Sequence, residues 1–448
     1  MTFAATSGSA CTKISAVSTT KVKGKTIKLI CTKVGNRKLW KTSFASPTTP
    51  NSFSNTTSST IASWIPAVTR TINDAACRLP DKREPSLINT PRSLGFPLNQ
   101  TGSKAIGTIN LSLVAADFPD FQGKSAELEK LSTQVAEFNK WLSFQSGGRL
   151  IANWQFPKQW FRLTRRAAEY GVVGFSPATH LAIDSDIVAA SDPFINFSNI
   201  DELFVYFPDS LTDSEPNRDP FQGVLSQIGG TEIATQDGTI KHLKGSGTVS
   251  KKQQYGLLPT LWALWAHDVL HTIGVEGHNP VESFTLESED YLDQVVSGWN
   301  QFLLGWLSDS QIACLDRATI NNNEIDLVAL QDSRVGYRVA IVPISETRAI
   351  VIESHRATGY AKDLGASGIL VYLMDTKNVP PYSERQNTGL IGSRFIDPEN
   401  VENGSRARVG KGQKSTLMIV GESASFQGLS VDFIKSGDVD KVRFRTTG

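Results

Sequence analysis

The chain has 448 residues, with 45 Lys and Arg against 44 Asp and Glu for a formal net charge of +1. That length supports two or three domains and a substantial core. Charge this evenly balanced argues against a nucleic-acid partner, which needs a basic patch or stripe, and no apolar run is long enough to cross a bilayer as a helix.

Met1 to Ala10 shows no charged region and no long apolar core, so no signal peptide is visible. Three Met in the whole chain, with abundant Thr, Ser and Asn, suit a secreted protein. Residues 1–42 read as a small β module. Lys21 to Ile30 alternates polar and apolar residues around a Gly turn, as a hairpin does, and Lys33 to Trp40 offers a second turn and strand. Cys11 and Cys31 occur in matching contexts, Ala-Cys-Thr-Lys and Ile-Cys-Thr-Lys, and so small a unit needs a staple. Their pairing is the preferred connectivity among the three that four cysteines permit, set against four buried reduced thiols. The module resembles the short cysteine-paired units near the start of some actinobacterial secreted proteins. Residues 43–64, rich in Ser, Thr, Pro and Asn, have almost nothing to bury and read as a flexible linker.

Residues 65–312 read as an α+β region. Ala105 to Ala116 is a core strand ending in the turn Asp117-Phe-Pro-Asp120. Ala126 to Ser143 has helical spacing, with Leu128, Leu131, Val135, Phe138 and Leu142 on one stripe, and Gly147-Gly148 breaks it. Strands follow at Leu150 to Phe156 and Glu202 to Phe207, then a helix over Tyr255 to Thr272 whose apolar lead-in reads as buried. Residues 313–448 change texture. Short runs at 324–330, 337–343, 348–353, 368–374, 415–420 and 439–444 predict a β-sandwich or barrel.

Three of the six histidines fall within twelve residues, in Trp265-Ala-His267-Asp-Val-Leu-His271-Thr-Ile-Gly274-Val-Glu-Gly-His278. His267 and His271, four apart, share one helix face and can grip one metal ion; Gly274 lets the chain turn back towards it. Three neutral imidazoles around an open fourth position describe a catalytic zinc site. His278 is the leading third ligand, with Glu276, Glu289 and Asp290 as oxygen alternatives. Asp268 stands where zinc peptidases carry a Glu that takes a proton from water and passes it to the leaving amine. An Asp is one methylene shorter, which sets its carboxylate roughly an ångström further back.

On these residues the chain resembles the immune inhibitor A type of secreted bacterial zincin metallopeptidase, over Ile106 to Asp375. Leu113-Val-Ala-Ala-Asp-Phe-Pro-Asp120 is similar to that group's opening strand and turn, and Phe144-Gln-Ser-Gly-Gly-Arg-Leu to its step before a strand. Ser297-Gly-Trp-Asn-Gln-Phe-Leu-Leu-Gly-Trp306 resembles a segment with Lys where Gln301 stands here. Ile352-Glu-Ser-His-Arg356, Asp363 and Gly368 to Asp375 resemble its later β region. The resemblance implies a zincin-like catalytic domain with a mixed sheet and a metal-binding helix, followed by a β-sandwich-like domain. It carries over His267 and His271 as ligands and Asp268 as general base. The third-ligand position falls on Gly277, one residue before His278, and no Met follows shortly after His278 to floor the metal.

Glu353 and Arg356 are expected to form a structural ion pair. Asp184, Asp186 and Asp192 stand where the group has acidic calcium loops, with solvated surface carboxylates the preferred reading over Ca2+ ligands. The leading expectation is a secreted or cell-surface zinc endopeptidase acting on protein or peptide substrates. A peptidase-like surface binding protein with weak or no activity is the alternative, and an intracellular hydrolase of a non-peptide amide the third.

Overall fold

The computed structural model describes residues 17–22, 25–34, 37–42, 71–85, 92–99, 102–170, 177–214, 233–240, 245–249, 261–276, 295–362, 364, 366–377, 393–396 and 417–446. The chain divides into two compact units, Met1–Trp64 and Ile65–Gly448.

In the first unit, β1 (Val17–Val22), β2 (Lys25–Val34) and β3 (Arg37–Thr42) form an antiparallel meander. Register runs from Val22↔Lys25 to Val17↔Ile30 on one side of β2, and from Val34↔Arg37 to Leu29↔Thr42 on the other. Cys11 lies outside the described residues, and with it the expected pairing to Cys31.

The second unit is α+β. It opens on β4 (Gly107–Asp117), α1 (Ser125–Ser146), β5 (Leu150–Gln155), β6 (Trp160–Arg162), α2 (Pro177–Ser191) and β7 (Glu202–Tyr206). A small hairpin, β8 (Ile233–Thr235) with β9 (Gly238–Ile240), precedes β10 (Gly245–Val249), α3 (Leu261–Thr272) and α4 (Gly298–Leu303). One sheet has the order β10-β7-β4-β5, with β6 also on β4. Where a mixed sheet was expected, all its described pairings are parallel. Helices intervene between β4 and β5 and between β6 and β7, and such crossovers return a chain to a parallel strand. β4 is covered on both faces: Leu111, Leu113 and Ala115 join the cluster holding α1 and α3, while Val114, Ala116 and Phe118 join that of α2. Its near-continuous apolar run is what two-sided burial requires.

α1 starts with the Glu127 carboxylate accepting from the Lys124 amide at 2.7 Å and stops where Gly147 turns left-handed. Leu128, Leu131, Phe138 and Leu142 are buried along the predicted stripe, with Val135 partly so.

Beyond α4 come β11 (Ile312–Cys314), β12 (Glu324–Leu327), β13 (Val339–Pro343), β14 (Arg348–His355), β15 (Gly368–Asp375), β16 (Ser393–Phe395), β17 (Ser423–Phe426), β18 (Leu429–Lys435) and β19 (Asp440–Thr446). They make two sheets, β11-β13-β14-β15-β16 and β12-β19-β18-β17. Strand alternation sends Ala340, Val342, Ile350, Ile352, Val371 and Leu373 into one cluster with Val431, Phe433, Val442 and Phe444 of the other sheet. The opposite face, Val339, Ile341, Val351, Leu370 and Tyr372, packs on Cys77, Leu79, Trp299 and Phe302. The expected strand at 415–420 is reduced, over Leu417 to Val420, to a single bridge from Met418 to Ile369.

Cys77 and Cys314 form a disulfide across 237 residues, the pairing that the preferred connectivity leaves for them, and the boundary expected at 312/313 lies within β11. One expectation on side chains is corrected. Glu353 and Arg356 do not pair. Residues of opposite parity leave a strand on opposite faces, so Arg356 follows Ser354 to Asp440. Glu353 turns the other way, to the His355 ring at 2.9 Å, the Tyr372 hydroxyl and the Gly298 amide at 2.8 Å. A Cβ on Gly298 would meet that carboxylate at 2.9 Å and Val339 at 2.9 Å, so only glycine lets α4 start there.

Replacing Cys77 and Cys314 together by Ala should lower the unfolding free energy in urea by about 2–5 kcal/mol, because the open chain regains loop entropy. An unchanged urea midpoint would show that the cross-link adds nothing to the packing around it.

Candidate metal centre

α3 is apolar on nearly every side, Leu261-Trp-Ala-Leu-Trp-Ala-His-Asp-Val-Leu-His-Thr, and such a helix must be buried. Trp265 packs on Trp154 and Phe204 of the parallel sheet, and Trp262 on Trp141 and Tyr360. The Trp262 amide donates to the Gln134 side chain of α1 at 3.2 Å. These contacts fix the helix's rotation, and with it which stripe carries the histidines.

The helix ends on Gly274, whose φ of +116° is accessible to few other residues. The Val275 amide reaches back to the Leu270 carbonyl at 2.8 Å and the Gly274 amide to that of His271 at 3.1 Å, a Schellman-type stop. Outside chain closes over this turn: the Ser103 amide bonds the Thr272 carbonyl at 2.9 Å, and that of Ser93 bonds the Gly274 carbonyl at 2.7 Å.

The turn also orients the site. His271 Nδ1 lies 3.0 Å from the Val275 carbonyl oxygen. A carbonyl can only accept, so Nδ1 carries the proton and Nε2 keeps its lone pair. That Nε2 lies 3.1 Å from Nε2 of His267, with the two rings perpendicular. Zinc–imidazole bonds of about 2.0–2.1 Å, opened by roughly 100–110°, would set two such nitrogens about 3.1–3.4 Å apart. Both rings are nearly buried, and backbone-fixed tautomers of this sort are the usual support of a metal ligand. The pair therefore fits a zinc ion.

Other predicted site residues separate into those the fold brings near and those it does not. Glu276 is buried, but its carboxylate accepts from Arg83 at 2.9 Å, and Arg83 also binds Asp81 and the Arg92 carbonyl. That buried ion pair draws the oxygen alternative away from a ligand role. His278, Glu289 and Asp290 lie outside the described residues, and among the described residues no three donors gather around one point. Gln301 bonds the Val296 carbonyl at 2.7 Å and packs beside Gln145, a structural anchor for α4. Asp184 is buried rather than solvated, which corrects the surface-carboxylate reading for that residue; Asp186 is partly exposed and accepts from the Tyr170 hydroxyl at 2.6 Å. They sit on α2, whose apolar face packs inward and takes their stems with it.

Asp268 is half-buried on the stripe next to the histidines. Burial pushes its carboxyl up to about 7, and the nearby Arg92 charge opposes the rise. Glu202, at the start of β7, is fully buried. Burial foremost, then the Asp268 charge, holds it well above the usual carboxylate range; the Thr272 hydroxyl pulls the other way, and Asp201 adds to the rise. Sequence reading missed this second carboxyl. Its only signal was an acid opening an otherwise apolar strand, Glu202-Leu-Phe-Val-Tyr-Phe.

No protein-family model matches the chain, and no curated protein matches it. Among the described residues no helix is long and apolar enough to cross a membrane.

Glu202→Gln should stabilise the metal-free protein, with a direction set by linkage. An acid whose pKa is raised on folding binds its proton more tightly when folded. Its contribution is whole below the unfolded pKa and lost as pH rises towards the folded value. The melting-temperature gain of Glu202→Gln over wild type should therefore be larger at pH 8 than at pH 5. A gain independent of pH would contradict the raised pKa.

Proposed function

We propose that this chain is a zinc-dependent peptidase of zincin type, with the parallel-sheet region and α3 as its catalytic part and the two later sheets as a β-sandwich-like domain. One observation carries the proposal. Two helix-borne imidazoles converge at 3.1 Å, one of them locked by a backbone carbonyl into the tautomer that frees its metal-binding nitrogen. His267 and His271 would hold the ion, with His278 as the third ligand by sequence.

Bound zinc supplies Lewis acidity towards a peptide carbonyl and makes a water acidic enough to deprotonate near neutrality. The protein's own contribution is Asp268. In the metal-free protein burial raises this carboxyl to about 7, and general acid–base work asks for a group that exchanges its proton near neutral pH. It can accept a proton from water and return it to the departing amine. Glu202 behind it is held well above the usual carboxylate range by burial, which favours its neutral form beside Asp268.

The shorter Asp and its buried carboxyl neighbour also support the second reading, a peptidase scaffold with weak or no activity that serves in binding. Asp268→Glu separates the two. A binder gains casein hydrolysis only in the variant, whereas an enzyme has it beforehand.

Elemental analysis of the full chain should find one zinc, and casein cleavage should stop with a chelator. Asp268→Asn should lower kcat/KM by about 10²–10⁴-fold. Absence of stoichiometric metal would remove the site, and bound zinc without chelator-sensitive cleavage would leave only the binder. Because Asp268 must be deprotonated to act, wild-type kcat/KM should fall towards acid pH; the value of about 7 belongs to the metal-free protein, and zinc beside the carboxyl would lower it. A profile flat throughout the acid range in which zinc stays bound would exclude it as the base.

A further inference from the structure

The chain's net charge of +1 conceals a separation between its two units. Met1–Trp64 holds nine of the 45 Lys and Arg and none of the 44 Asp and Glu, leaving 36 against 44 in Ile65–Gly448. Seven of the nine cations fall on the three strands of the meander.

Register places them on both faces of that sheet. Lys21 stands opposite Thr26, Lys28 opposite Thr19, and Lys41 opposite Ile30. These positions share one face and step diagonally across the three strands, with Arg37 further along the same face. Diagonal neighbours in an antiparallel sheet are about 7–8 Å apart. The other face holds Lys25, Lys33 and Lys38, and Lys33 and Lys38 are directly opposed. The unit contains no Asp or Glu.

We propose that the first unit is a docking module for a linear, flexible, phosphate-bearing polymer that carries no bases, such as a phosphodiester chain at a cell surface. Three features select this partner. Cations on both sheet faces suit a strand that wraps, whereas a flat lipid surface touches one face. Eight of the nine cations are Lys, a point charge that meets phosphate from any direction, in place of the planar Arg fork favoured in nucleic-acid recognition. Trp40 is the sole aromatic residue on the three strands, too few for a base-stacking platform. Residues 43–64, next in the sequence, carry no charged side chain. The inference stands independently of the proposed peptidase activity.

The test uses the full-length chain with poly(glycerol phosphate) as probe, titrated over a series of salt concentrations. Binding should weaken with salt. Replacing Lys21, Lys28 and Lys41 by Gln, or Lys25, Lys33 and Lys38 by Gln, should each lower affinity about tenfold or more at low salt and flatten the log–log salt slope by about 2, at ~0.7 per lost contact. Arg at either set of positions should keep binding, which separates lost charge from a misfolded module. No binding at low salt overturns the proposal. Loss confined to one face, with equal binding to phosphatidylglycerol vesicles, replaces it with a membrane surface. Tighter binding to oligo(dT) than to the polymer replaces it with a single-stranded nucleic acid.

Discussion

A single hydrogen bond, from His271 Nδ1 to the Val275 carbonyl, sets the chemistry of the candidate centre. It decides which imidazole nitrogen has a lone pair, and it exists only because Gly274 ends α3 in a left-handed turn that swings that carbonyl back over the ring. The turn is in turn held by backbone bonds from Ser93 and Ser103, and by the Arg83–Glu276 ion pair immediately after it. Helix, turn and the segment before β4 thus behave as one device, in which the same residues that stop the helix orient a ligand.

Most elements with strong periodicity were legible in the sequence. β4 and α1 announce themselves through an unbroken apolar run and a 3.6-residue stripe, and α3 through its all-round hydrophobicity. The histidine pair was legible for the same reason, since spacing on a helix is geometry. α2 escaped notice: its polar and apolar residues give almost no amphipathic signal, and one of its two acids, Asp184, is buried. β18 also passed unread, because Leu429-Ser-Val-Asp-Phe-Ile-Lys looks like a solvated segment until Arg445 is seen to neutralise Asp432.

Partnerships across long sequence distances were the least legible. Parity alone could have separated Glu353 from Arg356, but nothing local marks Asp440, 84 residues on, as the true partner. The same holds for Glu202 and Asp268. Each looks ordinary in its own segment, and the effect of the Asp268 charge on Glu202 arises only where β7 and α3 meet in the fold. The whole-chain charge misled in another way, as an average over two units of opposite sign.

The covalent link between Cys77 and Cys314 bears on how the molecule is made. Its first half-cystine is synthesised 237 residues ahead of its mate. Cys77 and Leu79 are buried against Val339, Ile341 and Val351, all of which leave the ribosome later still. The early segment therefore has no surface to settle on until most of the polypeptide has emerged. Docking of this early segment waits on the carboxy-terminal part of the chain, against which its buried side chains pack.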